Sequence, residues 1–225
     1  MALQGKILKP PALPDFCESL DAPLGDLRFR ALLPDGDWER LPRATRQRFA
    51  KRLADGNTAI YVGEVVEVRL SRIGWWVAQM ARLIGGPLPT GVDTGVPSIV
   101  TVTEDAATGG QIWTRIYARR SGFPQVIHSA KRFAGPTGLE EYVGFGVGMA
   151  LQIGVDDQAL RFRSAGYFLQ LGRRKFRLPA LLTPGALTVT HTDLVDGEFQ
   201  FTLEIVHPRF GTLIHQSAVF REATP

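Results

Sequence analysis

The stretch FQFTLEIVHPRFGTLIHQSAVF, residues 199–220, decides the fold. Apolar and polar residues alternate on both sides of Pro208-Arg209-Phe210-Gly211, the pattern of two half-buried strands joined by a tight turn. With Pro208 to Gly211 as the loop, His207 falls opposite Thr212, Ile205 opposite Ile214, Leu203 opposite Gln216 and Phe201 opposite Ala218. Phe199 and Phe220 lie on that same, mostly apolar face, which is expected to look inward. The other face sets Glu204 against His215, with room for one ion pair, and Thr202 against Ser217. His215 is therefore a poor catalytic candidate. His207 sits at the rim of the inner face, where a barrel would have its mouth.

Upstream, the same alternation recurs over roughly 58–70, 97–104, 111–119, 125–133, 139–155, 159–171, 175–178, 187–194 and 198–206. In the first of these, Ile60, Val62, Val66, Val68 and Leu70 read as one face and Tyr61, Gly63, Glu67 and Arg69 as the other, with Glu64 breaking the apolar side. The segment 139–155 reads as one long strand, bent or bulged at its glycines. Thr108-Gly109-Gly110, Asp156-Asp157, Gly172 and Asp196-Gly197 supply hairpin turns. Glycine (24) and proline (15) are frequent, as many turns require.

Two helical patterns stand out. Leu41, Thr45, Phe49 and Leu53 recur behind Pro42 until Gly56-Asn57. Ile73, Trp76, Val77, Met80, Leu83 and Ile84 form a stripe closed by Gly85-Gly86-Pro87. The expected fold is mainly β: an antiparallel, strongly curved or closed barrel-like sheet of about 8–10 strands with two main helices. A single domain is expected over 1–225, with 1–40 as a packing N-terminal arm and 41–225 as a helix plus barrel-like body.

Composition narrows the function classes. With 44% hydrophobic and 21% charged residues the 225-residue chain reads as an ordinary globular protein. Its net charge is +4, and the clusters Arg43, Arg46, Arg48, Lys51, Arg52 and Arg173, Arg174, Lys175, Arg177 fit a solvated helix face and a hairpin tip. Nucleic acid is therefore not an expected partner. The single cysteine, Cys17, forbids an internal disulfide. The opening residues hold no apolar run of signal-sequence length, so a cytoplasmic location is expected. The longest apolar stretch, Ile73 to Ile84, contains Gln79 and Arg82 and is too short to span a bilayer.

Familiar chemical motifs are missing. His128, His191, His207 and His215 have no metal-ligand spacing, so no metal is expected. Gly144-x-Gly146-x-Gly148 lacks the helix and lysine-serine pair of a phosphate loop, and no cofactor is implied. What remains are polar residues on apolar strand faces: Glu64 among valines, Arg115 two residues after Trp113, Ser129 after Ile127, and Glu140-Glu141 opening a long apolar strand. A buried arginine needs an anion and a buried carboxylate a cation or proton. Pairing of Arg115 with Glu64, Glu140 or Glu141 would place a polar cluster on one wall of an apolar pocket. A purely structural ion pair, or charges facing outward, is the plain alternative.

Tyr61-Val62-Gly63, Gly86-Pro87-Leu88-Pro89, Trp113-x-Arg115, Ser129, the glutamates at 140–141, Leu178-Pro179 and His207-Pro208-x-x-Gly211 together resemble a bacterial domain of unknown function often fused behind a saccharopine-dehydrogenase-like Rossmann domain. The resemblance spans roughly residues 27–221 and fits a stand-alone form; where a tyrosine and a glycine are expected near the end, the chain has His215 and Ser217. It implies that Trp113, Arg115, Ser129, Glu141 and His207 belong to one pattern and assigns them no role.

Three functions follow as expectations. The first is binding of an apolar small molecule, lipid-, isoprenoid- or polyketide-like and acidic at one end, with Arg115, Trp113, Ser129, Glu141, His207, Trp76 and Met80 around it. The helix 73–84 would cover the mouth, and Trp75 and Trp76 with Arg69, Arg72 and Arg82 would suit transient membrane-surface contact, although an ordinary packed helix explains them too. The second is a cofactor-independent isomerase, cyclase or hydrolyase in which an apolar pocket raises the pKa of Glu64 or Glu141, assisted by His207 or Arg115. The third is a partner-binding module for a Rossmann-type reductase. The oligomeric state stays open.

Overall fold

The computed structural model describes residues 25–54 and 56–223. Cys17 and the first part of the expected arm lie outside them. Eleven strands form one antiparallel sheet: β1 (Ala59–Leu70), β2 (Val96–Asp105), β3 (Gly110–Tyr117), β4 (Gln125–Arg132), β5 (Glu140–Gly144), β6 (Val147–Asp156), β7 (Ala159–Leu171), β8 (Arg174–Arg177), β9 (Ala186–Asp193), β10 (Glu198–His207) and β11 (Gly211–Glu222). Ten of them close into a barrel in the order β1-β11-β10-β9-β7-β6-β5-β4-β3-β2, sealed by β6 against β7. β8 stays outside the ring, because β7 pairs with β9 through residues 160–163 and then with β8 through 168–171. Ten strands enclose more space than the eight that side chains just fill.

The last hairpin has the expected register from Phe199↔Phe220 to Ile205↔Ile214. Beyond Ile205 the pairing shifts by one residue, and His207 lies opposite Gly211 rather than Thr212. The loop is therefore three residues, closed by Gly211 at φ 69°, a left-handed position that glycine occupies without strain.

Two strand readings are corrected. On β1 the inward residues are Ala59, Tyr61 and Val65, while Ile60, Glu64 and Val66 are exposed. The ladder slips between Val65 and Glu67, so the bulged Val66 inverts the alternation and only Val68 and Leu70 match the expected inner face. The segment 139–155 is a hairpin, β5 and β6, rather than one bent strand: Gly144-Phe145-Gly146 turns the chain, with Phe145 itself at φ 48°.

One end of the barrel is plugged. Helices α1 (Arg28–Ala31), α2 (Asp37–Arg40) and α3 (Arg43–Phe49) bury Phe29, Trp38 and Phe49. The helix expected behind Pro42 stops at Phe49, and Leu53 is buried from the coil that follows. Phe29 and Phe49 meet Phe162 of β7 at 6.0 and 5.7 Å between ring centres. Phe49 also stands edge-on to His191, whose ring stacks on Phe199. Burial, and then the neighbouring Arg48 guanidinium, push the His191 pKa down to about 3.

At the other end α4 (Arg72–Ala81) follows β1, capped by the Ser71 hydroxyl, which accepts from the Gly74 N–H at 3.0 Å. It continues as a 3-10 turn, Arg82–Ile84, that ends at left-handed Gly85. The helix rests on β11 by its small residues, Gly74, Ala78 and Ala81. A Cβ on Gly74 would lie 1.9 Å from the Leu213 carbonyl oxygen, so only glycine permits this approach. No helix among the described residues is long and apolar enough to cross a membrane.

Gly74→Val should therefore lift α4 off β11 and cost about 1–3 kcal/mol in urea unfolding. A second outcome concerns pH. The unfolded imidazole takes up its proton near pH 6.5 and the folded one only at about 3, so the His191 contribution is full above 6.5 and drains as pH falls towards 3. His191→Leu should remove that part of the pH dependence, about 3–5 kcal/mol, whatever its effect at neutral pH.

Candidate functional site

Between the aromatic plug and α4 the barrel holds a cavity of about 610 Å³, within the range of small-molecule sites. Trp113, Phe162, Phe201 and Phe220 line its inner part, and the α4 residues Ile73, Trp76, Val77 and Met80 line its mouth together with Leu181 and Leu182 from the connection between β8 and β9. That connection fills a gap in the wall: where β7 leaves β9 for β8, the Leu178 N–H donates to the Tyr167 carbonyl at 2.8 Å and the Tyr167 hydroxyl to the Gly185 carbonyl at 3.0 Å.

Most of the lining is apolar, and its charges are gathered on three adjacent strands. Alternation turns Trp113, Arg115 and Tyr117 of β3, Ile127, Ser129 and Lys131 of β4, and Glu141 and Val143 of β5 inward. Register then brings Lys131 directly opposite Glu141. The Lys131 ammonium lies 3.1 Å from Glu141 Oε1 and 4.7 Å from the centre of the Trp113 ring. Arg115 Nη2 reaches the same Glu141 oxygen at 3.3 Å and donates to Ser129 Oγ at 2.8 Å. Glu141, Lys131 and Ser129 are buried, and Arg115 is partly open to the cavity.

Burial by itself pushes the Glu141 carboxyl up. The charges of Lys131 and Arg115, with hydrogen bonds from Ser129 and Lys131, overcome it and hold the group down at about 2. The expectation that an apolar pocket would raise this pKa is thus reversed, because two cations share the pocket. Lys131 is shifted the other way for an amine: lost hydration lowers its pKa, Glu141 opposes this, and the like charge of Arg115 adds to it. With both cations protonated, one carboxylate faces two positive charges.

The expected residues separate cleanly. Arg115, Trp113, Ser129, Glu141, Trp76 and Met80 all line the cavity. Glu64 does not, since the β1 register places it on the exposed outer face. His207 does not either: it ends β10, where Nδ1 accepts from the Arg209 N–H at 3.1 Å and the ring stacks on Phe210. Glu140, one residue from Glu141, points to the opposite side of β5, where it is buried against the Tyr142 hydroxyl, Lys175 and the close approach of Gly135. His215 lies opposite Glu204 as expected, but its Nε2 approaches the Glu67 carboxylate of β1, at 3.4 Å. Lys131 was not among the expected site residues, although it has the same strand parity as Ser129, two positions earlier.

The fold and site together define a closed β-barrel enclosing a ligand-sized apolar chamber with a charged wall. The sequence matches the domain of unknown function DUF4166 over residues 41–220, and the chain belongs to that family. No curated protein matches it.

Removing the carboxylate leaves two cations facing each other in a dry wall. Glu141→Gln should cost about 3–5 kcal/mol in urea unfolding at pH 7. The sign in acid follows from the shift: the unfolded carboxyl protonates near 4.5 and the folded one at about 2, so Glu141 stabilises fully above 4.5 and loses that contribution as pH falls towards 2. The variant's stability should be flatter than that of the wild type across this window.

Proposed function

We propose that the chain binds an apolar small molecule with an acidic head group inside the barrel, the tail lying in the apolar chamber and the head meeting Arg115 and Lys131. The observation that carries this reading is the charge count: two cations share one carboxylate on the wall of an otherwise apolar cavity. An anion entering that wall would offset the leftover positive charge, and its added desolvation is small at Lys131, which is already buried. Lipid-, isoprenoid- and polyketide-like acids fit this description. A Rossmann-type reductase partner, which the family resemblance implies, would then act on the compound that the barrel carries.

The chamber favours binding over acid–base turnover. Glu141 is held ionised far below neutral pH, which makes it a weak base, and Glu64 lies outside the barrel.

Native mass spectrometry of the protein as purified, followed by solvent extraction, should reveal a bound apolar acid. Arg115→Ala should lower occupancy at least about tenfold while the protein stays folded. For an isolated ligand, affinity should fall at alkaline pH as Lys131, whose pKa lies below its ordinary value of 10.5, loses its proton. An occupied protein whose occupancy is the same in Arg115→Ala and Lys131→Met would overturn the assignment of the head-group site.

A further inference from the structure

The two ends of the barrel differ in chemistry. Strand directions place α4 and the connections 71–95, 118–124, 145–146, 172–173, 178–185 and 208–210 at the open end. These connections contain a single acidic residue, Asp93, out of 22 in the chain. They carry Arg72, Arg82, Arg119, Arg120, Arg173 and Arg209, and the adjoining β8 adds Arg174 and Arg177. Arg82, Arg119 and Arg120 are held by neutral groups: the Gln79 side chain, Thr90 with Gln125, and the Thr94 carbonyl. At the plugged end the charges are mixed: Asp105, Asp156-Asp157, Asp196 and Glu198 lie in or beside the turns, next to the arginines of α1, α2 and α3.

Apolar exposure follows the same division. Because α4 docks through its small residues, its large ones face out, and Trp76 is 63% exposed. Around the same rim Phe123 is 92%, Phe145 79% and Leu181 87% exposed, each at the tip of a separate connection. Phe210 and Phe176 extend the set. Isolated exposed apolar residues are ordinary, but large ones on connection after connection at one end, interleaved with arginines, are not.

We infer that the open end of the barrel is a docking surface for an anionic lipid bilayer, with the rim aromatics and leucines inserted at headgroup depth and the arginines paired with lipid phosphates. Charge complementarity selects this occupant. A shell of cations around apolar tips matches the negative surface and apolar layer of such a membrane, and aromatic side chains partition to that depth. Trp76 and Met80 face outward and also line the cavity, so the docked barrel opens towards the lipid rather than towards water. The inference deepens the binding reading by naming where an apolar ligand is exchanged, but the surface is defined by residues outside the chamber wall of Arg115, Lys131 and Glu141.

The test is co-sedimentation of the full chain with vesicles of phosphatidylcholine alone and of phosphatidylcholine with phosphatidylglycerol at about three to one. Binding is expected to the anionic vesicles, weakening with added salt, with the tryptophan emission shifting to the blue. Phe123→Ser with Phe145→Asn, and separately Arg173→Glu with Arg174→Glu, should each reduce it about tenfold or more. These positions are exposed, and asparagine tolerates the left-handed backbone at 145, so folding is spared. Val195→Asp, at the exposed tip of the far end, should leave binding unchanged. Failure of the wild type to bind anionic vesicles, equal binding to neutral ones, or equal loss from Val195→Asp would overturn the inference. None of these outcomes touches ligand occupancy, which fails or holds by mass spectrometry alone.

Discussion

Pairing of β6 with β7 closes the sheet, and closure is the constraint on which the rest of the molecule depends. A closed ring leaves no free edges, but its interior has to be filled. The chain fills one half of it. Phe162, Phe199, Phe201 and Phe220 converge from three strands, and α1 and α3 add Phe29 and Phe49 from below. Among the described residues no comparable cluster enters from the α4 end, where the helix lies across β11 on glycine and alanines. The chamber is thus the space left between a plug of aromatic rings and a helix too closely docked by its small face to send large side chains deep inside.

Charges in such a chamber are stable only as a set. Lys131 and Glu141 occupy one cross-strand pair, so register enforces their contact, and Arg115 joins diagonally through Ser129. The set satisfies the carboxylate better than the cations. The two cations lower the Glu141 pKa, lost hydration and then the like charge of Arg115 lower that of Lys131, and the surplus cation leaves an electrostatic preference for anions built into the wall. Replacing the trio with apolar side chains of similar size would avoid the desolvation cost, so stability alone does not account for it.

Legibility in the sequence followed how local each determinant was. The barrel class, the strand positions and the Phe199-to-Ile205 register were readable because alternation and turn chemistry act over a few residues. The site was half readable: Trp113, Arg115, Ser129 and Glu141 stood out as polar or aromatic interruptions of apolar faces, and Lys131 could have been found by counting two residues on from Ser129. Glu64 was misplaced because the extra residue at Val66 reverses every assignment on one side of it while leaving composition unchanged. His207 was misplaced because it ends its strand, where its ring turns to Phe210 and to the Arg209 N–H of the adjoining turn. The helix 73–84 was legible in its place and its apolar stripe, but the side that is buried depends on Gly74 meeting the Leu213 carbonyl, a contact between residues far apart in the chain.

That contact also ties the chamber to the outer surface. In an ordinary amphipathic helix the large apolar side chains are the buried ones, and the outer face is polar. Here the small residues are buried, so Trp76 and Met80 are left to serve two environments, their inner edges facing the cavity and their outer edges facing out of the molecule. A ligand leaving between them would pass apolar side chains on its way to the rim. The barrier to exchange is then set by what lies beyond the rim. In water the ligand would expose its tail, at about 25 cal/mol for each Å² of apolar surface, whereas against an apolar phase that penalty largely disappears. A cation-rich, carboxylate-poor end would be the electrostatic counterpart of such a route, since it would draw the open end towards negatively charged surfaces before any apolar contact forms.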